Sequence, residues 1–174
     1  GSHGPNVRPG QRATRREQER RDAAALLGVK EVIYLRYPDG ILENTLALRA
    51  RIAHLIRQHK PHIVFAIDPW RHYQLAPDHR AAGFAALDGL WAAREWHIFA
   101  EQLYGDEEPW RVSQAYLYWT ENADHFEDIS EYIDKKIAAL ACHASQIRSD
   151  FETLDKRIRE RAKVVGEPVG MEYA

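Results

Sequence analysis

The run Ile63-Val64-Phe65-Ala66-Ile67 constrains this chain more than any other segment. It is strand-length, unbroken by a polar residue and rich in β-branched and aromatic side chains, the pattern of a strand covered on both faces in a parallel sheet. A polar loop follows from Asp68 to Ala76, and Pro77-Asp78-His79-Arg80-Ala81-Ala82-Gly83 then opens an Ala-rich helix. Loops leaving the carboxyl ends of strands are where open α/β sheets bind their ligands. The candidate chemistry is therefore placed here, with Asp78 and His79 at the helix start where a metal ligand and its orienting partner would sit.

The flanking segments alternate helix and strand. Gly1 to Gly10, rich in Gly and Pro, reads as a loop or tail. From Arg12 to Leu27 helix formers predominate, Glu17 stands one turn before Arg21, and Gly28 is placed to close the helix. Val32 to Leu35 reads as a strand ending in the turn residues Pro38-Asp39-Gly40. Leu48, Ile52, Leu55 and Ile56 keep a helical period between Thr45 and Gln58, and Pro61 stops that helix. Beyond the central loop, a helix is expected from Asp78 to Leu103, a strand from Val112 to Thr120, and one long helix from a capping box at Asp128 and Glu131 to about Arg161. This order predicts an α/β domain with a mainly parallel, Rossmann-like sheet flanked by helices, and a long C-terminal helix.

Charge and cysteine content narrow the partners. The chain has 174 residues, enough for one domain with a core of its own. Its 24 basic and 26 acidic side chains nearly balance, so no global field argues for nucleic acid or an anionic membrane. The basic stretch from Arg8 to Arg21 is interleaved with Glu17 and Glu19, which favours a solvated helix face over a nucleic-acid arm. Cys142, the single cysteine, permits no internal disulfide and points to a reducing compartment, the cytoplasm. No apolar run is long enough to span a bilayer, and no membrane partner is expected.

Several segments together resemble the PIG-L/LmbE-like family of zinc-dependent N-deacetylases. Arg16-Glu17-Gln18-Glu19 followed by Ala23 to Val29 is similar to the family's Arg-x-x-Glu helix ending in Leu-Gly-Val. Leu35 to Gly40 is similar to its strand ending in Pro-Asp-Gly, and Lys60 to Phe65 with Asp68 to the strand before its site. Pro77-Asp78-His79-Arg80 resembles the His-Pro-Asp-His-Arg element, and Asp128-Ile129-Ser130 through His143-Ala144-Ser145-Gln146 the C-terminal helix. The resemblance implies hydrolysis of an N-acetylated sugar or related amide, a small-molecule substrate. It implies zinc held by a His and an Asp of an early Ala-His-Pro-Asp-Asp segment together with the last His of His-Pro-Asp-His, with water on the open position. Carried onto this chain, His79 is the metal ligand, with Asp78 beside it as the candidate catalytic or positioning carboxylate; from their place on the loop, Asp68, Arg71 and the aromatic Tyr73 are expected at the substrate.

The chain departs from that pattern at two places. It contains no Ala-His-Pro-Asp-Asp segment, so residues 1–174 are expected to be a single LmbE-like domain without the family's first strand and helix. Ala76 stands where the first His of His-Pro-Asp-His belongs, and a methyl group neither donates nor accepts a proton. Zinc is therefore expected to be absent or weakly bound and turnover impaired, the alternative being an inactive relative kept for binding or assembly. An uncovered sheet edge would favour association, so a homo-oligomer is expected. Of the remaining residues, His72 reads as an exposed loop histidine, and His59 and His62 as helix-end residues. His143 and Gln146 read as polar groups facing a pocket or an interface, and Trp91 and Trp96 as core or interface.

Overall fold

The computed structural model describes residues 9–105, 107–147 and 150–174; the expected tail falls mostly outside them, and its last two residues, Pro9 and Gly10, already belong to a helix. Among the described residues there are five α-helices and a two-stranded parallel sheet. The helices are α1 (Pro9–Leu27), α2 (Leu46–His59), α3 (Pro77–Ala93), α4 (Ile133–Ala141) and α5 (Phe151–Gly166), and the strands are β1 (Ile63–Ile67) and β2 (Gln114–Tyr118). The fold is thus mixed α/β and ends in a long helix. The chain divides into two compact units, one spanning Leu35–Ala123 and the other drawing on Gly1–Tyr34 and Asp124–Ala174.

The continuous unit holds α2, β1, α3 and β2. Thr45 caps α2 by accepting the Leu48 amide at 3.2 Å, and Lys60 ends it in a left-handed conformation. The strands run parallel in register from Ile63 beside Gln114 to Ile67 beside Tyr118. Helices α2 and α3 pack around Ala53, Ile56, Ala92 and Ala93, with Trp110 and Val112 against them. Ala66 and Ile67 are buried, as a central strand requires, whereas Ile63 and Phe65 stay exposed and Phe65 stacks on Tyr116 at 5.3 Å. The expected cover on both faces is therefore only partly met among the described residues.

The helix expected from Asp78 to Leu103 ends at Ala93, and Arg57 supplies the reason. Its guanidinium, almost fully buried, donates to the carbonyls of Ala92, Ala93, Glu95, Ile98 and Phe99 and to the side chain of Gln102, at 2.9–3.2 Å. Carbonyls that would otherwise be left unpaired at a helix end converge on one cation. Trp91 and Trp96 lie at this end and are more than half exposed, so neither is a core residue.

The second unit joins the two ends of the chain. Gly28 closes α1 with φ +78°, its amide reaching Ala25 and that of Val29 reaching Ala24, the paired bonds that a left-handed glycine allows. Val32 to Leu35 forms no strand, because no described strand pairs with it; instead the Tyr34 hydroxyl donates to the Glu17 carbonyl at 3.0 Å. The single C-terminal helix expected from Asp128 is two helices. The Asp128 carboxylate accepts the amide and hydroxyl of Ser130 rather than capping a helix, and α4 starts only at Ile133. Asp150 then starts α5 by accepting the Thr153 amide at 2.7 Å. The apolar stripe survives the break, since Ile133, Ile137 and Ala162 form one buried cluster with Ile129, Ile158 and Tyr173.

Candidate active site

Parallel pairing brings the carboxyl ends of β1 and β2 to the same edge, and the ladder extends one step beyond the strands as the Asp68 amide reaches the Tyr118 carbonyl at 3.0 Å. Two loops leave this edge. The first carries Asp68, Arg71, His72 and Tyr73 into α3, and the second carries Trp119 and Glu121. Gly83 lets α3 lie close to this edge: a Cβ there would stand 2.5 Å from the Ile67 carbonyl oxygen and 3.0 Å from Pro69.

Each residue expected at the site has a definite place. Asp68 is buried and turns its own loop, its carboxylate accepting the Trp70 amide at 2.9 Å. Asp78, in the first turn of α3, holds a distant loop: its two oxygens accept the amides of Gly40 at 2.6 Å and Leu42 at 3.0 Å. His79 packs its ring on the Trp119 indole at 5.7 Å, and its Nδ1 is buried and forms no hydrogen bond to any described residue. Arg71 lies exposed on the loop, and Tyr73 is 93% exposed with φ +56°. Ala76 is the residue before α3 and supplies no capping side chain.

Reasoning from the sequence missed the second loop. The Glu121 carboxylate accepts both the His72 ring Nδ1 at 2.7 Å and the His72 amide at 3.2 Å, tying the two loops together. These bonds from His72 hold the Glu121 carboxyl below the usual carboxylate range, against a smaller opposing effect of burial. His72 is thus an exposed loop histidine with a fixed partner. Trp119, like Tyr73, is a non-glycine residue in the left-handed region, with φ +62°. Such conformations cost about 1–3 kcal/mol and gather at functional loops. The signal that would have found Trp119 and Glu121 is topological, because in a parallel pair the loop after either strand opens on the same edge.

A catalytic zinc takes three protein ligands. The unpaired Nδ1 of His79 offers one nitrogen, but among the described residues no three His, Cys, Asp or Glu side chains gather where an ion could be held. Asp78 is committed to two backbone amides. The residues described do not by themselves fit a resident zinc ion.

Comparison with known proteins bears on this edge. Residues 1–90 match the family model described as PIG-L, GlcNAc-PI de-N-acetylase, and the chain belongs to the PIG-L family. Among its relatives is the diacetylchitobiose deacetylase of Thermococcus kodakarensis, 32% identical over 163 residues, which cover 93% of this chain and 61% of the relative. A probable N-acetyl-alpha-D-glucosaminyl L-malate deacetylase 2 of Bacillus anthracis is 27% identical over 83% of this chain and 62% of its own length. In structure, the N,N'-diacetylchitobiose deacetylase of Pyrococcus horikoshii, solved with an inhibitor, matches with a TM-score of 0.91 at 29% identity, covering 99% of this chain and 66% of that one. The chain therefore spans about three fifths of the length of the curated relatives it matches. No helix among the described residues is long and apolar enough to cross a membrane.

Proposed function

We propose that the protein is a hydrolase of the N-deacetylase type, acting on an N-acetylated sugar or a related small amide, and that turnover by this chain is impaired. The observation that carries the proposal is His79, a buried and unpaired imidazole nitrogen at the first turn of α3, beside the loops from two parallel strand ends. In this reading Arg71 donates hydrogen bonds to sugar hydroxyls and the exposed Tyr73 ring packs on a sugar face. Asp68 and Asp78 are positioning residues, the first shaping the loop and the second tying the segment from Gly40 to Leu42 to the helix that carries His79. Zinc is the cofactor proposed for a complete site, and His79 alone would hold it weakly. The impairment rests on Ala76, which cannot pass a proton to the departing amine.

Ala76 also supports a second reading, an inactive relative retained as a binding or assembly module, and a homo-oligomer in the cytoplasm is compatible with both. One experiment separates them. Zinc content and intact mass of the purified protein are measured, and acetate release from N,N'-diacetylchitobiose is followed with and without added zinc. The proposal expects zinc well below one per chain, little acetate, and a gain in turnover for Ala76→His with zinc supplied. Zinc near one per chain with full turnover would overturn the impairment. No acetate from zinc-loaded Ala76→His protein would leave the assembly reading in its place.

A further inference from the structure

The discontinuous unit contains a two-lobed cleft built from residues that the proposed deacetylase site does not use. One lobe, of about 460 Å³, lies between α1 and α4, with Ala23, Leu27, Ala139 and Leu140 among its apolar walls and Lys135 and Lys136 on its lining. The other, of about 400 Å³, is lined by Arg20, Gln146 and Arg157 over Leu154 and Ile158. Leu140 and His143 belong to both lobes, which makes them neighbouring parts of one surface. Each volume falls in the range of small-molecule sites.

The polar lining has one sign. Among the described residues no Asp or Glu lines either lobe, whereas two lysines, two arginines and His143 do. The acidic residue nearest in sequence to Arg20 is Glu19, and its carboxylate is already taken by the amide and hydroxyl of Ser145 and by Arg15. Arg157 makes no ion pair with any described residue. Arg20 has its guanidinium 6.0 Å from the Tyr34 ring centroid, a contact that leaves its N–H groups to other acceptors. His143 adds an independent observation: its Nδ1 is buried and makes no hydrogen bond to any described residue. A buried polar atom without a partner is costly, and an acceptor oxygen delivered by a ligand would remove that cost.

We infer that this cleft is a binding site for a small organic oxyanion, a phosphate monoester or carboxylate attached to an apolar body. The head group lies among Arg20, His143, Gln146 and Arg157, where guanidinium forks match the geometry of such oxyanions, and the apolar body lies along Leu27, Ala139 and Leu140. His143 donates from Nδ1, the tautomer being the one that an oxyanion selects. A solvated helix face accounts for exposed arginines but not for the buried His143 nitrogen without a described partner on the same lining.

Phenyl phosphate is the probe, titrated into the full chain at constant ionic strength while heat and the 15N resonances of the His143 ring are followed. Saturable binding at one per chain is expected, with a shift at His143 Nδ1, and benzyl alcohol, which carries no charge, should not bind. Arg157→Met and Arg20→Met should each weaken binding about tenfold or more. Unchanged affinity in both variants, equal binding of benzyl alcohol, or saturation without a response at His143 would overturn the inference. Where a variant fails to fold, the His143 resonance of the unaltered protein decides alone. Loss of phenyl phosphate binding on Asp78→Asn would transfer the ligand to the deacetylase edge and equally refute this site.

Discussion

At the scale of single residues, Asp78 shows how one carboxylate serves geometry. Replacing it with Asn leaves one acceptor oxygen for two amides and turns an N–H toward the other. Asp78→Asn should cost about 1.5 kcal/mol, the lower end of the range for a lost charged hydrogen bond, because the contact with Gly40 is exposed. Hydrogen exchange at Gly40 and Leu42 should quicken at the same time, and unchanged protection of both amides would refute the tie. The pairing of Asp78 with His79 at a helix start was legible in the sequence, because helix starts follow a short list of residue types. What Asp78 holds was not, since nothing in local spacing points to a loop 38 residues back. The same holds for Glu121, whose link to His72 exists only because two strands lie side by side.

At the scale of elements, periodicity located the helices better than it located their ends. The apolar residues of α2 were visible, yet the residue that matters most to the end of α3 is a charged one on α2. Burial lowers the Arg57 guanidinium's proton affinity, opposed by the charges of Glu107 and Glu101, and the carbonyls around it offset the loss of water. Arg57→Met keeps the length of the side chain but strands several carbonyls at about 1–3 kcal/mol for each that stays buried, so a loss of about 3 kcal/mol or more is expected. Urea unfolding measures this directly, and a loss below about 1 kcal/mol would mean that water replaces the guanidinium. A sequence pattern scores an arginine as polar and therefore as solvent-facing. The division into α4 and α5 escaped for a related reason: the apolar stripe is continuous in space across a chain that is not continuous as a helix, and the Asp150 cap that starts α5 falls within that stripe.

At the scale of the whole molecule, the order of motifs carried more information than any motif alone. The Arg-x-x-Glu segment and the His-x-Ser-Gln segment meet physically, as Glu19 accepts the Ser145 amide at 2.8 Å and its hydroxyl at 2.6 Å. Burial tends to raise the Glu19 carboxyl, but the bonds from Ser145 and the Arg15 cation outweigh it and hold the group below its ordinary value of 4.5. A depressed carboxyl contributes stability that is complete above its unfolded value and is lost as pH falls through the folded one. Stability measured by urea unfolding should therefore decline below about pH 4.5, and Glu19→Gln should be less stable at neutral pH with a shallower acid limb. Parallel acid limbs for the two proteins would remove Glu19 from the account. The same contact also sets an order in time. Its partners lie 126 residues apart, on either side of a unit formed from one unbroken stretch of chain. On a ribosome, α1 emerges early and can only wait, its Ser145 partner not yet made, while everything needed for the packing of α2 on α3 is already in hand.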